Sequence, residues 1–150
     1  QIRAMGGLSW SVIPIPMSTT SKVYPYTCPI TADGRIIGLL GHMHSHGKRF
    51  TAWVKHAGGQ RDKVYESYDY AEAQTFPYDT ITTNPTFSTA LAGATSGMLM
   101  VKAGDSLDWE CEVLNDDQPA GLRYTNEVKT GEMCNLWGES IGPLINCVVP

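Results

Sequence analysis

His42 and His44 stand at alternate positions in Gly41-His42-Met43-His44-Ser45-His46-Gly47, and far along the chain a methionine, Met133, sits in Gly131-Glu132-Met133-Cys134-Asn135. Residues i and i+2 of a β-strand leave the same face, so the spacing predicts that His42 and His44 share one ion while Met43 and Ser45 point away. Imidazoles alone suit zinc, copper, nickel or iron. Two imidazoles with one soft thioether favour copper, above all the reduced Cu(I) that meets dioxygen. A single methionine is more often core filler, as the others at positions 5, 17, 43, 98 and 100 illustrate, so Met133 draws its interest from its surroundings. His46 continues the alternation, which makes His42, His44 and His46 holding zinc with a water the rival set, with hydrolysis or hydration as its chemistry. Three alternate positions on a straight strand span about 13 Å at a rise near 3.3 Å per residue, too far for one ion without a bulge. A bend at Gly47 leaves that set open. His56, just before Gly58-Gly59, reads as an exposed turn residue and receives no role.

The elements that position these side chains are strands. Gly and Pro supply 15 and 9 residues, spread along the chain, and no segment sustains a helical apolar period over three turns. In Ser106–Val113, Leu107, Trp109, Cys111 and Val113 alternate with Ser106, Asp108, Glu110 and Glu112, which predicts a strand with Cys111 on its buried face. Further strands are expected at 8–15, 22–26, 35–46, 50–55, 64–70, 98–102, 122–128, 132–137 and 144–149. Turn signals at Asp33-Gly34, Gly58-Gly59, Gly104-Asp105 and Asn115-Asp116-Asp117 separate most of them. The fold class is all-β, an antiparallel two-sheet sandwich with jelly-roll topology preferred on architectural grounds. The segment 71–97, rich in Thr, Ala, Pro and Ser, is expected to form surface loops that border a site.

Composition narrows the function classes. A chain of 150 residues suits one domain, and no repeat, linker or boundary divides it. Net charge −4 and a pI near 5.5 leave no electrostatic footprint for nucleic acid. No apolar run approaches the roughly 18 residues of a membrane span, and the opening residues lack the pattern of a signal peptide, so the chain reads as soluble and either processed or trimmed. The four cysteines, Cys28, Cys111, Cys134 and Cys147, contain no Cys-x-x-Cys pair, which argues for disulfides in any of three pairings and for an oxidising compartment, secreted or periplasmic. No Gly-x-Ser-x-Gly elbow, phosphate loop, His-Glu-x-x-His or dinucleotide fingerprint occurs. Trp53, Trp109 and Trp137 read as core and pocket walls.

His42-Met43-His44-Ser45-His46-Gly47-Lys48 followed by Glu132-Met133-Cys134-Asn135-Leu136 resembles the C-terminal, catalytic domain of the copper type II, ascorbate-dependent monooxygenases, the family of peptidylglycine α-hydroxylating and dopamine β-monooxygenases. The resemblance extends from the first strand to Cys147. It implies that His42, His44 and Met133 hold one copper that activates O2 to hydroxylate an activated C–H bond of a small-molecule substrate, with ascorbate as the external reductant. His46 falls where the family pattern requires no ligand. The resemblance also implies disulfides Cys111–Cys134 and Cys28–Cys147, and a pocket including Trp137, Asn135 and the loop around Tyr78.

Two departures bear on the substrate. Where the neuropeptide enzyme has an arginine two residues before the first histidine and a tyrosine after the methionine, this chain has Leu40 and Trp137. The expected substrate is therefore less anionic and more apolar than a peptidylglycine, with Arg49 or Arg123 as a charge supplied from elsewhere. Family members carry a second, three-histidine copper on a preceding domain, and no histidine precedes His42 here. The chain is thus expected to be the catalytic half of a larger enzyme, partnered by an N-terminal domain that carries that copper. The alternative function is a non-enzymatic copper-binding module for storage, delivery or recognition through the same ligands.

Overall fold

The computed structural model describes residues 2–9, 14–71, 75–77, 99–142 and 146–149. The chain is all-β: β1 (Ile2–Ser9), β2 (Lys22–Pro29), β3 (Gly34–His42), β4 (Gly47–Lys55), β5 (Arg61–Ser67), β6 (Thr75–Pro77), β7 (Leu99–Val101), β8 (Ser106–Val113), β9 (Asn135–Ile141) and β10 (Asn146–Val149). One sheet runs β10-β1-β9-β3, with both β6 and β7 pairing on the far side of β3; the other runs β2-β8-β4-β5. All pairings are antiparallel except β1 with β10, a parallel ladder.

The alternation expected in Ser106–Val113 is realised: Leu107, Trp109, Cys111 and Val113 are buried, and they meet Ile36, Leu39, Phe50 and Leu136 in one core between the sheets. Such a layer forms because each strand offers one apolar face, and two such faces remove each other from water. Trp109 anchors it. Its indole N–H donates to the Cys134 carbonyl at 3.0 Å, and Tyr26 stacks on it at 5.6 Å. Gly7 lies against the same indole so closely that a Cβ there would stand 2.3 Å from a ring carbon, which is why that strand position carries no side chain. β2 forms one edge of the four-stranded sheet, and Pro25, with no N–H, lies within it.

Both disulfides have the pairing that the resemblance implied. Cys28–Cys147 joins the two sheets across a sequence separation of 119, and Cys111–Cys134 spans a separation of 23, tying the residue after Met133 to the middle of β8.

Several boundaries differ from expectation. The 35–46 strand ends at His42, because the chain turns through Ser45 and His46 and the Gly47 N–H closes the turn on the His44 carbonyl at 3.0 Å. The segment 122–128 is not a strand. Its backbone folds back on itself, Gly131 donating to Glu127 and Glu132 to Arg123, with isolated bridges Ile15–Leu122 and Arg123–Gly131. The strand expected at 132–137 begins at Asn135 and runs on to Ile141, and that expected at 64–70 lies at Arg61–Ser67. Within 71–97, Thr75–Pro77 forms a short strand on the edge of β3. Tyr78, the rest of that segment and most of 8–15 beyond Ser9 lie outside the described residues.

Candidate metal centre

The registers of β3 and β9 explain how the two motifs meet. His42 pairs with Asn135 and Leu40 with Trp137, so the histidine end of β3 lies beside the start of β9, just after Met133. His42 and His44 come together with ring centroids 5.3 Å apart, edge to face, although His44 stands two residues beyond the end of its strand. Met43 between them is buried in the core, as the alternation required.

Met133 is held by its neighbours. Asn135 Nδ2 lies 3.6 Å from its sulfur and 3.2 Å from the Tyr124 hydroxyl, so one amide spans the thioether and a phenol. Glu132 supplies a second tie. Its Oε1 accepts the backbone N–H of Met133 at 2.9 Å and the backbone N–H of His44, so a single buried carboxylate oxygen joins the histidine segment to the methionine segment. The opposite oxygen, Oε2, is buried and has no hydrogen-bond partner among the described residues. Burial pushes the Glu132 carboxyl above the usual range, and the N–H groups of His44 and Met133 work against that shift.

The imidazoles are poised to be neutral. Burial lowers the pKa of His42, and the neighbouring His44 adds to the effect; burial also lowers that of His44, opposed by a backbone hydrogen bond with Gly131. Neutral imidazole is the form that ligates a metal. His44 Nδ1 is buried and has no hydrogen-bond partner among the described residues. The Trp137 indole lies nearly parallel to the His42 ring, 14° off at 5.5 Å, and fixes its plane. Trp137 is itself 43% exposed, so it forms a wall of the site and not part of the core.

His46 takes a different direction. Its Nε2 lies 2.8 Å from Asp117 Oδ1, and among the described residues no group of three or more His, Cys, Asp or Glu side chains is placed to hold an ion. His56 is not a bare turn residue: Nε2 is 3.0 Å from Asp62 and Nδ1 3.4 Å from Asp105, so its two nitrogens face two carboxylates. Arg49 is engaged by Glu112 at 3.3 Å and Glu110 at 3.6 Å. Tyr78 lies outside the described residues.

Sequence reasoning missed Glu132, Tyr124 and Asp117. Glu132 stood in the quoted motif, but a buried carboxylate that binds backbone N–H groups leaves no periodic signal. No protein-family model matches the chain, and no curated protein matches it in sequence.

Proposed function

We propose that this chain is the copper-binding, oxygen-activating domain of an ascorbate-dependent monooxygenase, with His42, His44 and Met133 as the ligands. The observation that carries the reading is the junction at Glu132: one carboxylate oxygen fastens the His44 and Met133 backbones together, beside two imidazoles whose rings lie 5.3 Å apart. The Nδ1 of His44, buried and without a hydrogen-bond partner among the described residues, fits a metal ligand, and the pairing of two nitrogens with one thioether fits copper.

When bound, copper supplies one-electron chemistry and a site at which dioxygen is activated toward a C–H bond. The chain's own residues do the rest. His42 and His44 are kept unprotonated by burial, so no proton has to leave before an ion enters. Asn135 orients the Met133 sulfur by hydrogen bonding, and Trp137 clamps the His42 ring from the solvent side. The exposed indole face offers an apolar plate on which a substrate displaces water.

The reading carries with it a small-molecule substrate, ascorbate as the reductant, a preceding domain with a second copper, and a secreted or periplasmic home. Two intramolecular disulfides agree with an oxidising compartment. Among the described residues no helix is long and apolar enough to cross a membrane.

X-ray absorption of the Cu(I)-loaded protein tests the ligand set. A sulfur scatterer is expected in the wild type and is lost in Met133→Ala while nitrogen scattering persists. An unchanged spectrum removes Met133 from the set. Ascorbate-dependent oxygen uptake with hydroxylated product, measured on the chain joined to its preceding domain, separates an oxygenase from a module that only stores or delivers copper.

A further inference from the structure

The segment 122–131, which folds back on itself instead of running as a strand, carries one side chain to the candidate metal centre. Leu122 is bridged to Ile15 by two backbone hydrogen bonds of 2.7 and 3.0 Å, and the Arg123 carbonyl accepts the Glu132 N–H at 3.0 Å. Tyr124 follows directly on these two anchored residues. Its hydroxyl oxygen accepts an N–H of Asn135 Nδ2 at 3.2 Å, and the same Nδ2 lies 3.6 Å from the Met133 sulfur. An asparagine amide nitrogen has two N–H donors, and here each has an acceptor. With the amide turned over, its carbonyl oxygen would face the sulfur, bringing two electron-rich atoms together. The sulfur, an acceptor only, therefore selects the orientation, and the phenol holds it.

Met133 needs such a restraint. Glu132 and the Cys111–Cys134 disulfide hold the backbone at Met133 and Cys134, not the thioether. Met133, Tyr124, Glu132 and Cys134 help to line a cavity of about 20 Å³, room for a water molecule. An unbranched side chain with three rotatable bonds re-packs readily into such a gap. Asn135, in contrast, is buried and its backbone is fixed opposite His42 in the β3–β9 ladder, so a hydrogen bond from its amide restrains the sulfur from a rigid point.

We infer that Tyr124 is a positioning residue for the Met133 thioether: its hydroxyl fixes the Asn135 amide, whose second N–H sets the sulfur in place before any ion arrives. A thioether sulfur carries two lone pairs, so the one that accepts the N–H leaves the other for a metal. The functional meaning rests on the assignment of Met133 as a copper ligand, whereas the restraint itself belongs to the metal-free chain. It also gives the fold-back at 122–131 a purpose, the delivery of a phenol to the methionine segment.

Tyr124→Phe removes the hydroxyl and keeps the ring, so the fold is retained; Tyr24→Phe, which takes a hydroxyl from another wall of the same cavity, is the control. In NMR of the metal-free protein, the two side-chain amide protons of Asn135 are expected to be well separated in the wild type and to converge in Tyr124→Phe. The Met133 methyl carbon is expected to move toward the value of a freely rotating methionine. Cu(I) affinity of this variant, by chelator competition, is expected to fall about threefold to tenfold, the range that one neutral hydrogen bond is worth. Unmoved Asn135 and Met133 signals in Tyr124→Phe, or an equal response in Tyr24→Phe, overturns the inference. A wild type whose Cu(I) X-ray absorption lacks sulfur strikes the ligand assignment instead, and the metal-free spectra still decide whether Tyr124 sets the thioether.

Discussion

The backbone N–H of His44 donates to Glu132 Oε1, although 88 positions of chain separate the two residues. Since the same oxygen accepts the Met133 N–H, this side chain adds a direct tie between the histidine and methionine segments to the β3–β9 ladder that pairs His42 with Asn135. Glu132→Gln preserves an acceptor oxygen, so its thermal unfolding and Cu(I) affinity are expected to stay near wild type. Glu132→Ala leaves two N–H groups without their partner. A loss of about 1–3 kcal/mol is expected from chemical denaturation, together with weaker Cu(I) retention in chelator competition. If Ala and Gln behave alike, the carboxylate is not the tie.

The two disulfides are expected to divide their roles. Removing Cys28–Cys147 by paired serine substitution relaxes a constraint over a separation of 119, with a stability loss of about 4–5 kcal/mol in the chain-entropy description. Metal affinity of the protein still folded is expected to be unchanged. Removing Cys111–Cys134 costs less, about 3 kcal/mol, but frees the residue after Met133 from β8 and should weaken Cu(I) binding. Equal affinity in the two variants, measured by chelator competition at a temperature where both fold, would contradict this division.

Gly41 precedes His42 where the sheets approach, and a Cβ there would lie 2.6 Å from the Phe50 ring and 2.8 Å from Tyr65. Gly41→Ala therefore overpacks the core, with an expected loss of about 1–3 kcal/mol in urea unfolding. Gly58→Ala is the control, because nothing stands within 4 Å of the added carbon.

Alkaline stability follows from the tyrosines. Burial raises the pKa of Tyr65 above its usual 10.0, against hydrogen bonds with Gly41 and Ser67, and burial with Tyr26 raises that of Tyr24. The folded state binds these phenolic protons more tightly than the unfolded state does. Their contribution is thus complete below pH 10 and is lost as pH rises through the raised values. Denaturation midpoints are expected to fall from pH 10 upward, and Tyr65→Phe to flatten that fall. A slope identical to wild type would show that Tyr65 does not report the titration.

Strands whose apolar residues alternate were legible in the sequence because burial imposes a period of two: Leu107 to Val113 needed nothing else. The end of β3 was not, since His44, Ser45 and His46 continue the written alternation while the backbone turns to feed β4. The 122–128 segment misled for a similar reason. Its residues have strand character, but Gly131 sits so close to Thr125 and the Arg123 carbonyl that the chain must fold back there. At the candidate site, residue type announced His42, His44 and Met133. The supporting Glu132, Asn135 and Tyr124 contacts depend on registers between distant strands, which local spacing does not encode.

Pro25 sits in the edge strand β2, which among the described residues forms a ladder with β8 alone. Without an N–H, that position interrupts any run of hydrogen bonds to a further strand, and the exposed Lys22 nearby adds charge to the same border. The strand therefore resists recruitment by another chain, a safeguard against self-association.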